Sequence, residues 1–135
     1  MNNPIETPVF EYTIEVTADQ IDELQHVNNV AYVQLMQEAA NKHWHYKVSQ
    51  AIDHKVFWVV KRHEIDYHSP ALLHDQLLIR TWTGAFSAVT WDRHYEIVRV
   101  ADQKKIISAK SIWVLLDRVT GKPKRIDQEI LDVFK

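Results

Sequence analysis

Cysteine is absent from this 135-residue chain, which excludes disulfides and a thiol nucleophile and is compatible with a reducing compartment. Glycine occurs only twice. Few positions can therefore take a positive φ cheaply, and the turns are expected to rely on Asn, Asp and Ser. No apolar run approaches the roughly 20 residues of a membrane-crossing helix. The start, Met1-Asn2-Asn3-Pro4-Ile5-Glu6, has neither the basic beginning nor the apolar stretch of a signal peptide. An excess of one charge is also missing: 16 Lys and Arg face 18 Asp and Glu, and a net charge of −2 argues against a nucleic-acid surface. What is present, 46% hydrophobic and 25% charged residues, is the balance of a globular protein and not of a disordered one. The length suits one domain over residues 1–135, able to bury roughly 70% of its unfolded surface. The expectation is a soluble, cytoplasmic protein with no nucleic-acid or membrane partner.

The periodicity reads as strand, helix, then four strands. In Val9–Val16, Phe10, Tyr12, Ile14 and Val16 alternate onto one face, which predicts a half-buried strand. From Val27 to about Lys47 neither Pro nor Gly intervenes, and Tyr32, Leu35, Met36, Ala39 and His43 recur at three-and-four spacing. That predicts an amphipathic helix of about 31 Å, with Ala39-Ala40 allowing a sheet to come close. Val56–Tyr67, Gln76–Phe86, Thr90–Val100 and Lys105–Leu116 are rich in β-branched and aromatic residues and are separated by turn chemistry. Asp127 is placed to cap a short C-terminal helix. One helix and five strands suit an α+β domain in which a curved five-stranded antiparallel sheet wraps its apolar face around the long helix.

Asp22-Glu23-Leu24-Gln25-His26-Val27-Asn28-Asn29 leads directly into that helix. A helix N-terminus concentrates unsatisfied N–H donors and partial positive charge, so a carboxylate and an imidazole beside it make a workable acyl-transfer site. With Tyr32, the run resembles the Asp-x-x-Gly-His-Val-Asn-Asn-x-x-Tyr signature of hotdog-fold acyl-CoA thioesterases of the 4-hydroxybenzoyl-CoA thioesterase-like group. Tyr67-His68-Ser69-Pro70 resembles the family's Tyr-x-x-Pro step, and Asp117 with Thr120-Gly121-Lys122-Pro123 its Asp-x-x-Thr-Gly-x-Pro ending. The element order is also that of the hotdog fold, so the resemblance covers nearly the whole chain. Three positions depart from the pattern. Gln25 stands for the Gly before His, His74 for the Gly before Asp75, and Gln20 for the acid two before Asp22. Lacking glycine's freedom, Gln25 is expected to hinder unusual backbone angles and close approach of a ligand.

Taken alone, Asp22 reads as a loop aspartate capping a turn, and His26 as a hydrogen-bonding histidine. The resemblance implies that Asp22 is the nucleophile or general base acting on a thioester, with His26 supporting the loop or the substrate carbonyl. It further implies that the backbone N–H seven residues on, at Asn29, polarises the thioester oxygen. Asn28 and Tyr32 support that start of the helix. A carboxylate suits either role, because a thiolate leaves without strong acid assistance. No metal or redox cofactor is implied. Glu64, Asp66 and His68 share a strand face by alternation, but without a His-Glu-x-x-His motif they read as a polar surface. Glu38, on the helix, reads as solvated or interfacial. Lys122, Lys124 and Arg125 read as a solvated cluster or as contacts for the 3′-phosphate of CoA.

The expected activity is hydrolysis of an acyl-CoA thioester to a carboxylic acid and CoA, with an acyl-ACP thioesterase and a non-catalytic acyl-CoA binder as alternatives. A hotdog hydratase is less suited, because its Asp precedes its His by five residues with Asn-Pro between, whereas Asp22 and His26 are four apart with no Pro. The exposed sheet edge and large apolar residues such as Trp58, Val60, Trp91, Ile112 and Trp113 predict at least a dimer, and the resemblance, in whose family such domains join edge to edge and pairs stack, implies a homodimer or homotetramer.

Overall fold

The computed structural model describes residues 3–4 and 7–135. Strand β1 spans Phe10–Glu15, helix α1 Asn29–Lys47, the one-turn helix α2 Gln50–Asp53, β2 Val56–Tyr67, β3 Gln76–Phe86, β4 Thr90–Arg99, β5 Lys105–Asp117 and the one-turn helix α3 Gln128–Leu131. The five strands pair antiparallel in the spatial order β1–β3–β4–β5–β2, and Asn3–Pro4 adds a two-residue pairing to Phe86 and Ala85 of β3. Expected and observed boundaries agree within two residues for every long element. Helix α1 starts at Asn29 because Val27 donates its N–H to the Ala71 carbonyl and Asn28 takes the capping position. The short helix α2 has no counterpart in the sequence reading; the Ser49 hydroxyl accepts from the Ile52 N–H at its start, the kind of cap that only tertiary packing turns into a helix.

Helix α1 lies across the sheet through Ala31, Tyr32, Leu35, Met36, Ala39, Ala40, His43 and Trp44, all buried. The first six of these meet Leu77 and Ile79 of β3, Tyr95 and Ile97 of β4, and Ile106 and Ile107 of β5 in one cluster. A second cluster gathers Trp44, Trp91, Leu115, Ile130 and Phe134 under the C-terminal segment. Full burial of a Leu, Ile or Phe side chain stabilises the fold by about 1.5–3 kcal/mol, so these clusters carry most of the driving force. Register shifts between Val60 and Arg62, Thr83 and Phe86, and Ile97 and Val98 add twist and let the sheet curve around the helix. Strand β2 is a sheet edge of 12 residues; its Glu64 and Asp66 are exposed, as is His68 just past its end. Among the described residues no group of His, Asp and Glu side chains has the arrangement of a metal site.

The turns differ from expectation in one respect. Asp22, Asp75, Asp102 and Asp117 accept backbone N–H groups, as turn aspartates should. The left-handed positions, however, fall on Gln25 (φ 65), His74 (φ 70) and Gln103 (φ 60), with Gly121 (φ 70) the one glycine among them. Gln103 is tied down by its own side chain, which donates to the Val100 carbonyl at 2.9 Å.

Candidate active site

The loop before α1 is a tight return of the chain. Ile21 bridges Val27, Asp22 donates its N–H to the His26 carbonyl at 2.8 Å, and Asn28 donates to the Gln20 carbonyl at 2.9 Å. Inside this return, Asp22 Oδ1 accepts from the N–H groups of Leu24 at 2.9 Å and His26 at 3.2 Å. Its other oxygen, Oδ2, has no partner among the described residues, so the carboxylate is held by one oxygen and offers the other. The side chain is half-buried.

Asn28 closes the helix start. Its Oδ1 accepts from the Ala31 N–H at 2.7 Å while its Nδ2 donates to the Gln20 carbonyl at 3.1 Å. Asn29 is then the first helical residue, exposed, and its N–H has no acceptor among the described residues. Such an orphan donor at a helix N-terminus carries partial positive charge and is suited to an oxyanion.

Two of the sequence motifs meet here. Ala71, the residue after Pro70, accepts from Val27 through its carbonyl at 2.9 Å and donates its N–H to the Tyr32 hydroxyl at 3.3 Å. The turn after β2 thus anchors both ends of the loop motif, and burial raises the Tyr32 phenol above its ordinary pKa and keeps it protonated. Ala71, fully buried, has no signal of its own in the sequence.

Gln25 adopts the φ of 65° that a Gly would supply, and its N–H donates to the Asp22 carbonyl at 3.0 Å. The expected hindrance to the backbone angle is therefore corrected: the loop conformation is kept, and the exposed Gln25 side chain projects from it. His74 does the same at the second departure, its N–H donating to the Val16 carbonyl at 3.0 Å. The His26 imidazole is exposed and makes no hydrogen bond among the described residues; it is the His26 backbone that ties the loop.

Other candidates lie elsewhere. Glu38 is about 14 Å along the helix from Asn29, in an open groove with Phe10, Tyr12, Lys42 and Tyr46. Lys122, Lys124 and Arg125 follow β5, beside the Val56 end of β2, whereas the Asp22 loop sits at the Tyr67 end. A strand of 12 residues spans roughly 37 Å, so one chain does not bring the basic cluster to Asp22. Asp117, near that cluster, orders its turn by accepting from Val119 and Thr120, and these bonds hold its carboxyl below the ordinary pKa. Tyr32 is buried, Phe57 and Trp58 line a cavity of about 220 Å³ near the other end of α1, and Trp82 stacks on His94.

A long helix laid across a curved five-stranded antiparallel sheet is the hotdog fold. Residues 7–134 match the family of the acyl-ACP thioesterase N-terminal domain, and the chain belongs to that family. The acyl-CoA thioester hydrolase YbgC of Escherichia coli O6:H1 is 24% identical over 132 residues, covering 96% of this chain and 98% of its own. The 1,4-dihydroxy-2-naphthoyl-CoA thioesterase Slr0204 of Synechocystis superposes with a TM-score of 0.81 at 19% identity, over 94% of this chain and 96% of its own. The 12:0-ACP thioesterase of Umbellularia californica gives 0.81 at 18% identity, over 94% of this chain and 51% of that one.

Proposed function

We propose that the protein hydrolyses acyl-CoA thioesters to a carboxylic acid and CoA, with Asp22 acting at the thioester carbonyl. The observation that carries this reading is the carboxylate itself: Oδ1 held by two N–H donors, Oδ2 unpartnered, and an orphan helix N–H in the same loop assembly. The E. coli relative of full length that is named an acyl-CoA thioester hydrolase supports CoA as the carrier.

Two routes use the same atoms. In one, Oδ2 attacks the carbonyl carbon, the thiolate of CoA leaves, and water cleaves the resulting anhydride to restore the carboxylate and release the acid. In the other, Oδ2 takes a proton from a water that attacks the carbonyl, and the proton passes to the departing sulfur. In both, negative charge on the carbonyl oxygen faces the Asn29 N–H, an interaction worth about 3 kcal/mol at the transition state if it resembles other oxyanion donors.

The test is release of free CoA, followed with a thiol reagent, across short, long and aromatic acyl-CoAs. Asp22→Asn should lower kcat at least about a hundredfold. The substitution leaves the loop intact, since the amide oxygen of the new side chain can still accept from Leu24 and His26. Full activity in Asp22→Asn would move the acid elsewhere, first to Glu38. Acyl-CoA binding by calorimetry without any turnover would favour the non-catalytic binder, and turnover of acyl-ACP alone would favour the carrier-protein substrate.

The assembly reading is a homodimer joined through the free edge of β2. Isologous antiparallel pairing of two β2 edges lays the Val56 end of one copy beside the Tyr67 end of the other. Lys122, Lys124 and Arg125 of one chain would then approach the Asp22 loop of its neighbour, where they suit the phosphates of CoA. A cytoplasmic location is part of the same proposal; among the described residues no helix is long and apolar enough to cross a membrane.

A further inference from the structure

The cavity of about 220 Å³ lies between the C-terminal half of α1, the sheet and the C-terminal segment, away from the Asp22 loop. Four tryptophans, Trp44, Trp58, Trp91 and Trp113, line it with Phe134 and Arg93. Arg93 is 5% exposed, and among the described residues no carboxylate pairs with it. Its Nη1 donates to His43 Nδ1 and to Thr81 Oγ1, each at 2.9 Å, and its guanidinium lies over the Phe134 ring at 5.0 Å. Of the five N–H groups that an arginine carries, Nη1 supplies two. The three on Nη2 and Nε have no acceptor among the described residues.

Asp53, Asp92 and Arg118 also line the cavity, and each has a partner of its own; Arg118 donates to the carbonyls of Asp53 and Val56. Asp92 turns toward Lys110 at 3.7 Å, and Asp53 accepts from the Trp44 indole at 2.9 Å. The buried His43 is held neutral, its pKa pushed down to about 3 by desolvation and by Arg93, so it supplies an acceptor and no second charge. Burial lowers Arg93 itself to about 10, which leaves it cationic at neutral pH. The free donors of Arg93 open into the cavity, where an anion would meet a cation that has no counter-charge from the described residues.

We propose that this cavity binds a small carboxylate with an apolar or aromatic body, the carboxylate on the free donors of Arg93 and the body against the tryptophans. A planar guanidinium fork matches a carboxylate with two parallel hydrogen bonds, and aromatic walls favour a flat apolar partner. The inference rests on the walls of the cavity and is independent of the thioester reading.

Benzoate, its neutral isostere benzamide and inorganic phosphate test it on the full chain. In nitrogen-15 spectra, benzoate should shift the indole N–H signals of Trp44, Trp58, Trp91 and Trp113 saturably, while Trp82, which stacks on His94 outside the cavity, stays in place. Benzoate should bind about tenfold or more tighter than benzamide, the difference expected of hydrogen bonds to a charged group. Arg93→Gln should abolish that preference and Arg93→Lys should keep part of it. Equal binding of benzoate and benzamide by the unaltered protein would overturn the role of Arg93, whatever the variants do. Phosphate binding as tightly as benzoate would overturn the aromatic body, and no saturable shift with benzoate would overturn the site.

Discussion

Gln25 and His74 hold backbone conformations that most residues avoid, and each stands where the family pattern has Gly. The left-handed region costs a residue with a Cβ about 1–2 kcal/mol, while glycine loses some of that advantage through its extra freedom in the unfolded chain. Gln25→Gly should therefore be neutral to stabilising, by at most about 1 kcal/mol, whereas the β-branched Gln25→Val should destabilise by about 2 kcal/mol. Urea unfolding midpoints check both. A Gln25→Val protein as stable as the parent would mean that the loop relaxes away from its left-handed φ. The same pair of variants reports on catalysis: if the loop geometry positions Asp22, Val should reduce turnover more than Gly does.

At the scale of elements, the start of α1 depends on Asn28, which serves the helix through Oδ1 and the Asp22 loop through Nδ2. Loss of a helix cap costs about 1 kcal/mol, and the second bond adds to it. Asn28→Ala is expected to lower stability by about 1–2 kcal/mol and also to lower kcat, because the orphan N–H of Asn29 loses its placement. Unchanged kcat in a destabilised Asn28→Ala protein would detach the helix start from the chemistry.

The other end of α1 carries a pH signature. His43 has a folded pKa of about 3 against an ordinary 6.5, so between these values the unfolded chain takes up a proton that the folded chain refuses. Its contribution is therefore whole above about pH 6.5, falls by about 1.4 kcal/mol per pH unit as the pH drops, and levels off below about 3. His43→Gln keeps an acceptor for Arg93 and removes the titration. Between about pH 6.5 and 5, above the range where most carboxylates titrate, the variant should lose less stability than the parent; parallel losses would disprove the assignment.

For the whole molecule, the free edge of β2 is the joining surface of the assembly proposed above. A strand of 12 residues with one edge unpaired, and with Val59 and Tyr67 exposed on it, is a template for pairing with a second copy. Light scattering at micromolar concentration should give at least twice the chain mass of 15.9 kDa. Because the basic cluster of one copy would serve the Asp22 loop of the other, Lys122→Glu combined with Arg125→Glu should raise KM for acyl-CoA with little change in kcat. A stable species of 15.9 kDa that still hydrolyses thioesters would sink both the assembly and the shared site.

Local patterns along the chain suffice for the elements and their order. Period-two alternation in β1 and three-and-four spacing from Tyr32 to His43 need no distant partner, and every residue named on that helix face is buried. The loop from Asp22 to Asn29 is equally legible, because capping and turn chemistry are written within a few neighbouring residues. What depends on remote partners emerges only when the chain closes on itself. Ala71 joins the loop to the turn after β2 across more than forty residues of chain, and no local pattern marks it. Gln25, His74 and Gln103 take positive φ because the surrounding hydrogen bonds dictate the turn, which composition alone assigns to Asn, Asp and Ser. Alternation puts Arg93 on the face of Trp91, Tyr95 and Ile97, but only the closing of α1 and Phe134 over the sheet buries its charge and turns its free donors into the cavity.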